Sequence, residues 1–228
     1  MSGEATDTPR PGAAGVFADT TAAPVVTRSP SAEAASTGMA PDPFALLADW
    51  LPANDDPARP LMTLSTVASS GYPDARTVLL SEFGPEGLYF HTDSRSRKVL
   101  DVTATPRAAL TMVWPGRQLV VQGDVSRASA EEQTAAYGRR SRYLQMLAWL
   151  NTDDFAALPL EERLATWAAF GEQHPDGSLE APGTWAGFVV SPVRITFWEG
   201  RPDTAGIRTE FTRASGAGDS WGCGVIAG

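Results

Sequence analysis

An α+β fold built around an antiparallel barrel is what this sequence predicts, on three observations. Short apolar segments separated by turn residues fill positions 61–125, a stretch of helical composition follows over 129–170, and strand-like segments return from 185 onward. Strands, then a helical insertion, then more strands is the order of segregated elements around one antiparallel sheet, not of alternating parallel units. The chain shows no internal repeat.

Taken in order, residues 1–41 are rich in Ala, Ser, Thr, Pro and Gly and carry no sustained period. Such a segment cannot bury enough apolar surface to offset the entropy of ordering it, so it is expected to be a disordered N-terminal arm, with the folded domain over 42–228. Asp42-Pro43 predicts a helix start, an N-cap followed by proline in the first turn, and Phe44, Leu47, Trp50 and Leu51 then share a face. Residues 61–68, 75–80 and 88–92 read as three hairpin-linked strands, with turns at Ser69-Ser70-Gly71 and Gly84-Pro85-Glu86-Gly87. A helix over 94–103 ends before Pro106, and 108–114 and 118–125 form a second antiparallel pair across Pro115-Gly116. The helical stretch breaks near 151–159. Strands are expected at 185–190, 194–198, 208–213 and 221–226.

Composition excludes several function classes. Hydrophobic residues make up 43% and charged residues 20% of the 228, an ordinary globular balance. No apolar run approaches the ~20 residues that cross a bilayer. Glu4 and Asp7 stand where a signal peptide is basic, so no membrane association and a cytoplasmic location are the expectations. Cys223 is the only cysteine, and His91 and His174 are the only histidines, which rules out an intramolecular disulfide and leaves no material for a histidine-rich metal site. The net charge of −9 argues against a nucleic-acid partner, although a few local cations can hold a small anion in an acidic protein.

Three segments place cations and hydrogen-bonding groups beside apolar strands: Arg76-Thr77-Val78-Leu79-Leu80-Ser81; Tyr89-Phe90-His91-Thr92 followed by Ser94-Arg95-Ser96-Arg97-Lys98; and Phe197-Trp198-Glu199-Gly200-Arg201 with Arg208 beyond it. Arg97 and Lys98 open a helix straight after a strand, where free N–H groups and the dipole welcome an anion. Arg76 on a neighbouring strand adds a bidentate donor. At roughly 1.5–3 kcal/mol per charge-assisted hydrogen bond, three or four would hold a phosphate monoester. Residue types alone leave a second reading open, in which Arg95, Arg97 and Lys98 are a solvated helix face.

"RTVLLS" at 76–81, "FHTDSRSRK" at 90–98, "RQLVVQG" at 117–123 and "FWEGR" at 197–201, in this order and spacing, resemble the signatures of the pyridoxamine 5′-phosphate oxidase family. "DPFALLADWL" at 42–51 and "GTWAGFVVSPVRITFW" at 183–198 are similar to its opening helix and late strand pair, so the resemblance spans roughly 42–213. It implies a split β-barrel and a homodimer with one FMN in each of two clefts at the subunit interface. Residue by residue, Arg76, Thr77, Val78, Leu79 and Ser81 match the strand beneath the flavin, with Arg76 on its phosphate. His91 and Thr92 fall where the family has Tyr-Thr, and Arg97 and Lys98 match its phosphate-gripping pair. Gln118 matches the glutamine beside the ring, and Trp198 and Arg208 match residues reaching it from the other subunit. For Trp198 a plain core aromatic is the alternative; His91 is a candidate general base only because histidines are scarce, and a hydrogen-bonding replacement of tyrosine is the favoured reading of it.

The substrate side departs from that pattern. Ser81, followed by Glu82, replaces the lysine that meets the substrate phosphate. Tyr137 and Arg140 remain as substrate-binding residues, but their serine companion aligns with Leu144. Thr204-Ala205-Gly206-Ile207-Arg208 stands for the family's Arg-Leu-His segment and keeps only the final arginine, and Asp153 and Asp154 lie near a lost glutamine-serine pair. Losing a cation and a hydroxyl from a phosphate pocket removes several kcal/mol, on the order of 10²–10⁴-fold in affinity. "VLLSE" is similar to the family's phenazine-biosynthesis oxidases, which nonetheless retain the Arg-Leu-His segment. The resemblance therefore implies a divergent FMN-dependent oxidase of an unphosphorylated small molecule, an amine or partly reduced ring. Hydride would pass to the flavin N5 and dioxygen would be the acceptor; no catalytic acid or base is identified. Two alternatives stand beside it, an authentic vitamin B6 salvage oxidase and a flavin-binding module without turnover.

Overall fold

The computed structural model describes residues 42–175, 177, 179–213 and 220–228, so the expected N-terminal arm lies outside the described residues. Helix α1 (Pro43–Trp50) begins as its sequence dictates. The Asp42 carboxylate accepts the Phe44 N–H at 2.9 Å, proline occupies the first turn, and Leu47 and Leu51 are buried.

Strand β1 (Leu61–Val67) alternates, with Met62, Leu64 and Thr66 inward, and pairs in antiparallel fashion with β2 (Pro73–Leu79). At Leu80 the chain changes partners. The Leu80 N–H still bonds the Pro60 carbonyl beside β1, but the Ser81 N–H bonds the Tyr89 carbonyl. Strand β3 (Glu82–Gly84) then pairs with β4 (Gly87–Asp93). The three-strand meander expected from the sequence is thus corrected: β1 and β2 form one hairpin, β3 and β4 another, and the two sit at different places in the sheet. Period-2 alternation marks a strand but not its partner.

Helix α2 (Arg97–Ala104) leads to the hairpin of β5 (Arg107–Trp114) and β6 (Arg117–Arg127), turning at Gly116 with a positive φ. Helices α3 (Ala130–Gly138), α4 (Arg142–Leu150), α5 (Asp153–Ala157) and α6 (Leu160–Gln173) form the insertion. The side chains of Ser129, Ser141 and Thr152 cap α3, α4 and α5. Strand β7 (Trp185–Glu199) is followed by β8 (Ile207–Arg213) and β9 (Trp221–Ala227). The two strands expected within 185–198 are therefore one. Pro192 lies where the register against β6 shifts beside Gly123, so the bulge absorbs a residue that cannot donate to the ladder.

The sheet runs β2-β1-β5-β6-β7-β4-β3, with β8 on the second half of β7 and β9 outside it. Because β2 and β3 are consecutive in the chain yet terminal in that order, the sheet curls until its two ends meet. This is an antiparallel split barrel with six flanking helices among the described residues. Its core is a single cluster in which Leu64, Leu80, Leu88, Phe90, Leu110, Leu119, Val121 and Ile195 are fully buried. No described helix is long and apolar enough to cross a membrane.

Candidate functional site

An open groove runs along one side of the barrel, walled by β2, by the β4–α2 junction, by α3 and α4, and by the β5–β6 and β7–β8 turns. Its first part is a cationic cradle. Arg76 projects from β2, where its side chain is 19% exposed, and is held from behind: Nη1 donates to Thr66 Oγ1 at 2.7 Å and to the Leu64 carbonyl at 3.3 Å, while Nη2 lies 3.4 Å from Asp101. Asp101, on α2, is buried and accepts from Thr66 Oγ1 at 2.7 Å. A buried carboxylate and a buried hydroxyl thus hold the arginine at the groove.

Arg97 and Lys98 begin α2, and its N-cap Ser96 makes no side-chain cap, so the first-turn N–H groups receive no side-chain acceptor from that residue. Lys98 donates to Thr92 Oγ1 at 3.1 Å. Burial, with the neighbouring Arg76 charge, holds the Lys98 ammonium below its usual range, a penalty that a bound anion would relieve. The carboxylate of Asp74 lies 2.7 Å from Arg76 and 3.6 Å from Arg97. Desolvation works against that charge, but Arg76 and Arg97 outweigh it and hold Asp74 below the ordinary carboxylate range. A carboxylate of the chain itself thus lies among these cations. Arg95, by contrast, is committed to Asp93 through Nε and Nη2. Thr77, Val78 and Leu79 continue the groove wall from Arg76.

Farther along, Ser81 stands in the wall at the β2–β3 junction, and a connected polar cluster lies behind it. Ser81 Oγ is 2.7 Å from His91 Nδ1 and accepts from Arg140 Nη2 at 2.7 Å. His91 Nε2 is 2.9 Å from Glu132 Oε2. The imidazole is sealed from solvent at 0% exposure, so the exposed atoms of His91 belong to its backbone. The ring stacks on Trp185 at 5.0 Å and 9°, and it fits because Gly187 opposes it: a Cβ there would collide with His91 Nε2 and with Gln133. The Arg140 guanidinium lies 5.6 Å over Trp185, and burial pushes it down to about 10. Tyr137 is buried against Trp185, with its hydroxyl toward the Gln145 carbonyl.

Glu132 ends this chain next to Glu82, which pairs with Arg139 at 2.9 Å. Burial, and hydrogen bonding to Glu132, hold Glu82 above its ordinary range. Glu132 is drawn upward by burial but held below its range by the bonds from His91 and Glu82. Glu132 Oε1 is buried and has no hydrogen-bond partner among the described residues.

Gln118, Trp198 and Arg208 form a third group, one row across adjacent strands: Gln118 is opposite Trp198, and Trp198 is opposite Arg208. In the single chain this row stands apart from the groove wall, although its neighbours Arg117, Glu199 and Ile207 belong to that wall. The Trp198 indole lies against Gly200 and Gly206, where any Cβ would strike it, and Arg208 donates to the Ala227 carbonyl at 2.9 Å. The structure therefore gathers Arg76, Thr77, Val78, Leu79, Ser81, His91, Thr92, Arg97, Lys98 and Arg140 along one groove, puts Tyr137 behind it, and leaves Gln118, Trp198 and Arg208 elsewhere. Sequence reasoning missed Asp74, Asp101, Glu132 and Trp185. An aspartate on the inward side of a short helix was the one signal available, for Asp101.

Comparison with known proteins identifies the family. Residues 56–199 match the family model described as pyridoxamine 5′-phosphate oxidase. The pyridoxine/pyridoxamine 5′-phosphate oxidase of Salinibacter ruber is 39% identical over 163 residues, 69% of this chain and 75% of that protein. The protein of the same name from Caulobacter vibrioides is 38% identical over 184 residues, covering 77% and 81%. The chain belongs to the pyridoxamine 5′-phosphate oxidase family. Among solved structures, PhzG from Burkholderia lata, in complex with tetrahydrophenazine-1-carboxylic acid, shares the fold with a TM-score of 0.66 at 20% identity, covering 82% of this chain and 93% of that one. A pyridoxamine 5′-phosphate oxidase-related, FMN-binding protein from Nostoc punctiforme gives 0.60 at 20% identity, covering 73% and 87%.

Proposed function

We propose that the protein is a homodimeric, cytoplasmic, FMN-dependent oxidase acting on an unphosphorylated amine or partly reduced ring. The observation that carries this reading is the contrast between the two ends of the groove. At the cradle, Arg76, Arg97 and Lys98 surround a carboxylate, Asp74, in a geometry suited to the flavin phosphate. At the other end, where the family's substrate phosphate would sit, the cations are already engaged: Arg140 on Ser81 and Arg139 on Glu82. A dianion there would stand near the Glu82 and Glu132 carboxylates, and of the two nearby arginines Arg139 is already paired with Glu82.

In this reading Arg76, Arg97, Lys98 and Thr92 hold the phosphate, Thr77, Val78, Leu79 and Ser81 form the floor under the ring, and Gln118, Trp198 and Arg208 approach from a second subunit. The bound flavin supplies a hydride acceptor and passes electrons to dioxygen. The residues of this chain orient the substrate C–H toward the ring and exclude water. A second reading, vitamin B6 salvage, is favoured by the 38–39% identity to oxidases of that name.

The test is a visible spectrum of the purified protein, with mass identification of the released chromophore, followed by peroxide detection on pyridoxamine and pyridoxine 5′-phosphates and on unphosphorylated amines and dihydro-aromatics. Bound FMN with turnover of the unphosphorylated set alone is the expected result. Efficient turnover of the two phosphates would move the protein to B6 salvage. A colourless protein that takes up no added FMN would end the oxidase reading.

A further inference from the structure

The Ser81, His91 and Glu132 side chains form an uninterrupted hydrogen-bonded chain from the groove wall into the barrel wall, 2.7 Å at the first link and 2.9 Å at the second. Its direction follows from donor and acceptor accounting. Glu132 is held ionised by the bonds from His91 and Glu82, so it offers no proton to His91. His91 Nε2 must therefore carry the hydrogen, and in the neutral ring Nδ1 is then an acceptor. Ser81 Oγ accepts from Arg140, a group with donors only, so the Ser81 hydroxyl hydrogen is free to point at Nδ1. Every member has one role, and the remaining lone pair of Ser81 Oγ is the only part of the chain at the groove wall. Trp185 fixes the ring plane and Gly187 makes the room for it.

We propose that this chain is a proton relay, with Ser81 the catalytic residue that takes a proton from a hydroxyl or amino group of the molecule bound in the groove, and His91 and Glu132 the positioning residues that carry it away. Resting on the oxidase reading above, the step balances as follows. The substrate N–H or O–H proton passes to Ser81 Oγ as the Ser81 proton passes to His91 Nδ1. The adjacent C–H electron pair leaves as hydride to the oxidised flavin, and the new C=N or C=O bond forms. The imidazolium is held by Glu132, with Glu82, Arg139 and Arg140 as the other charged groups around it. The arrangement gives the enzyme a base without a titratable side chain exposed in the groove, which a lysine or a free histidine would require.

Two measurements test it without a known substrate. Long-range ¹H–¹⁵N correlation on the His174→Asn protein observes the single remaining imidazole. The proposal expects the neutral Nε2–H tautomer, and an Nδ1–H tautomer would overturn it. Diisopropyl fluorophosphate then probes whether Ser81 gives up its proton: an Oγ–P bond forms, the P–F bond breaks, fluoride leaves and the proton goes to Nδ1. The expected result is one adduct, located at Ser81 by peptide mass spectrometry. Its rate should fall about a hundredfold in His91→Asn and measurably in the near-isosteric Glu132→Gln, which keeps the packing should the histidine variant not fold. No adduct at Ser81, or equal rates in a folded variant, would overturn the relay. Flavin content of the wild-type protein is read separately, so failure to bind FMN removes the oxidase reading without deciding the relay.

Discussion

Arg97 is the most exposed member of the cradle, with 80% of its side chain in solvent, and its 3.6 Å pairing with Asp74 is the kind of contact that contributes little by itself. Lys98 differs: it is recessed, held below its usual range by burial, and tied to Thr92. Arg76 is the most constrained, since Thr66, Asp74 and Asp101 all fix its guanidinium. In the proposed phosphate seat the three cations would divide the task, with Arg76 setting geometry, Lys98 supplying poorly solvated charge and Arg97 adding a solvated donor. Removing two of them tests the seat directly. Arg97→Ala combined with Lys98→Ala is expected to weaken FMN binding at least tenfold, about 1.4 kcal/mol, read by flavin fluorescence titration. That figure is set low because Arg97 is solvated; the recessed lysine is expected to account for most of the loss. Unchanged affinity would remove the phosphate from this end of the groove.

The long pairing of β6 with β7 depends on one place where the ladder is irregular. Gly123 faces Pro192 at the bulge, and a Cβ on residue 123 would run into the Ser191 carbonyl oxygen, a backbone atom that cannot swing aside. Gly123→Ala is therefore expected to destabilise the protein by ~1–3 kcal/mol, as overpacking does, seen as a lower denaturation midpoint with an unchanged slope. A neutral result would mean the bulge yields freely. The same element shows what could be read from sequence and what could not. Alternation of Met62, Leu64 and Thr66 with outward residues identified β1, and the Asp42-Pro43 pair located α1, because both signals are local. The gap between the strands expected at 185–190 and 194–198 is instead a bulge, which is a property of two strands while the sequence shows only one. Partner exchange at Leu80 was equally hidden. In the groove, the cations of the cradle were legible because they sit in short motifs beside strands. The Ser81–His91–Glu132 chain was not, because Glu132 is brought to His91 only by the placing of α3, 41 residues farther on.

For the whole molecule, the question is how one chain completes its groove. The cradle and the Gln118–Trp198–Arg208 row belong to different parts of the same barrel, and the latter is outside the groove wall of its own chain. Strand β9 shows the same incompleteness. Among the described residues it pairs only with β8, and Val225 and Ile226, consecutive and hence on opposite faces, are 59% and 47% exposed. Val113, at the far end of β5, is 68% exposed. A long edge strand with apolar side chains on both faces is an association hazard unless it has a cover. In the proposed dimer a second copy would cover this strand, and Trp198 and Arg208 of one subunit would reach the cradle of the other. The protein is accordingly expected to sediment as a dimer at micromolar concentration. Val225→Glu with Ile226→Lys is expected to shift it toward monomer and to lower FMN affinity in parallel, although neither side chain lines the groove. A stable monomer that binds FMN as tightly as the parent would show that one chain completes the site alone, and the row at Trp198 would then be only a seam of the barrel.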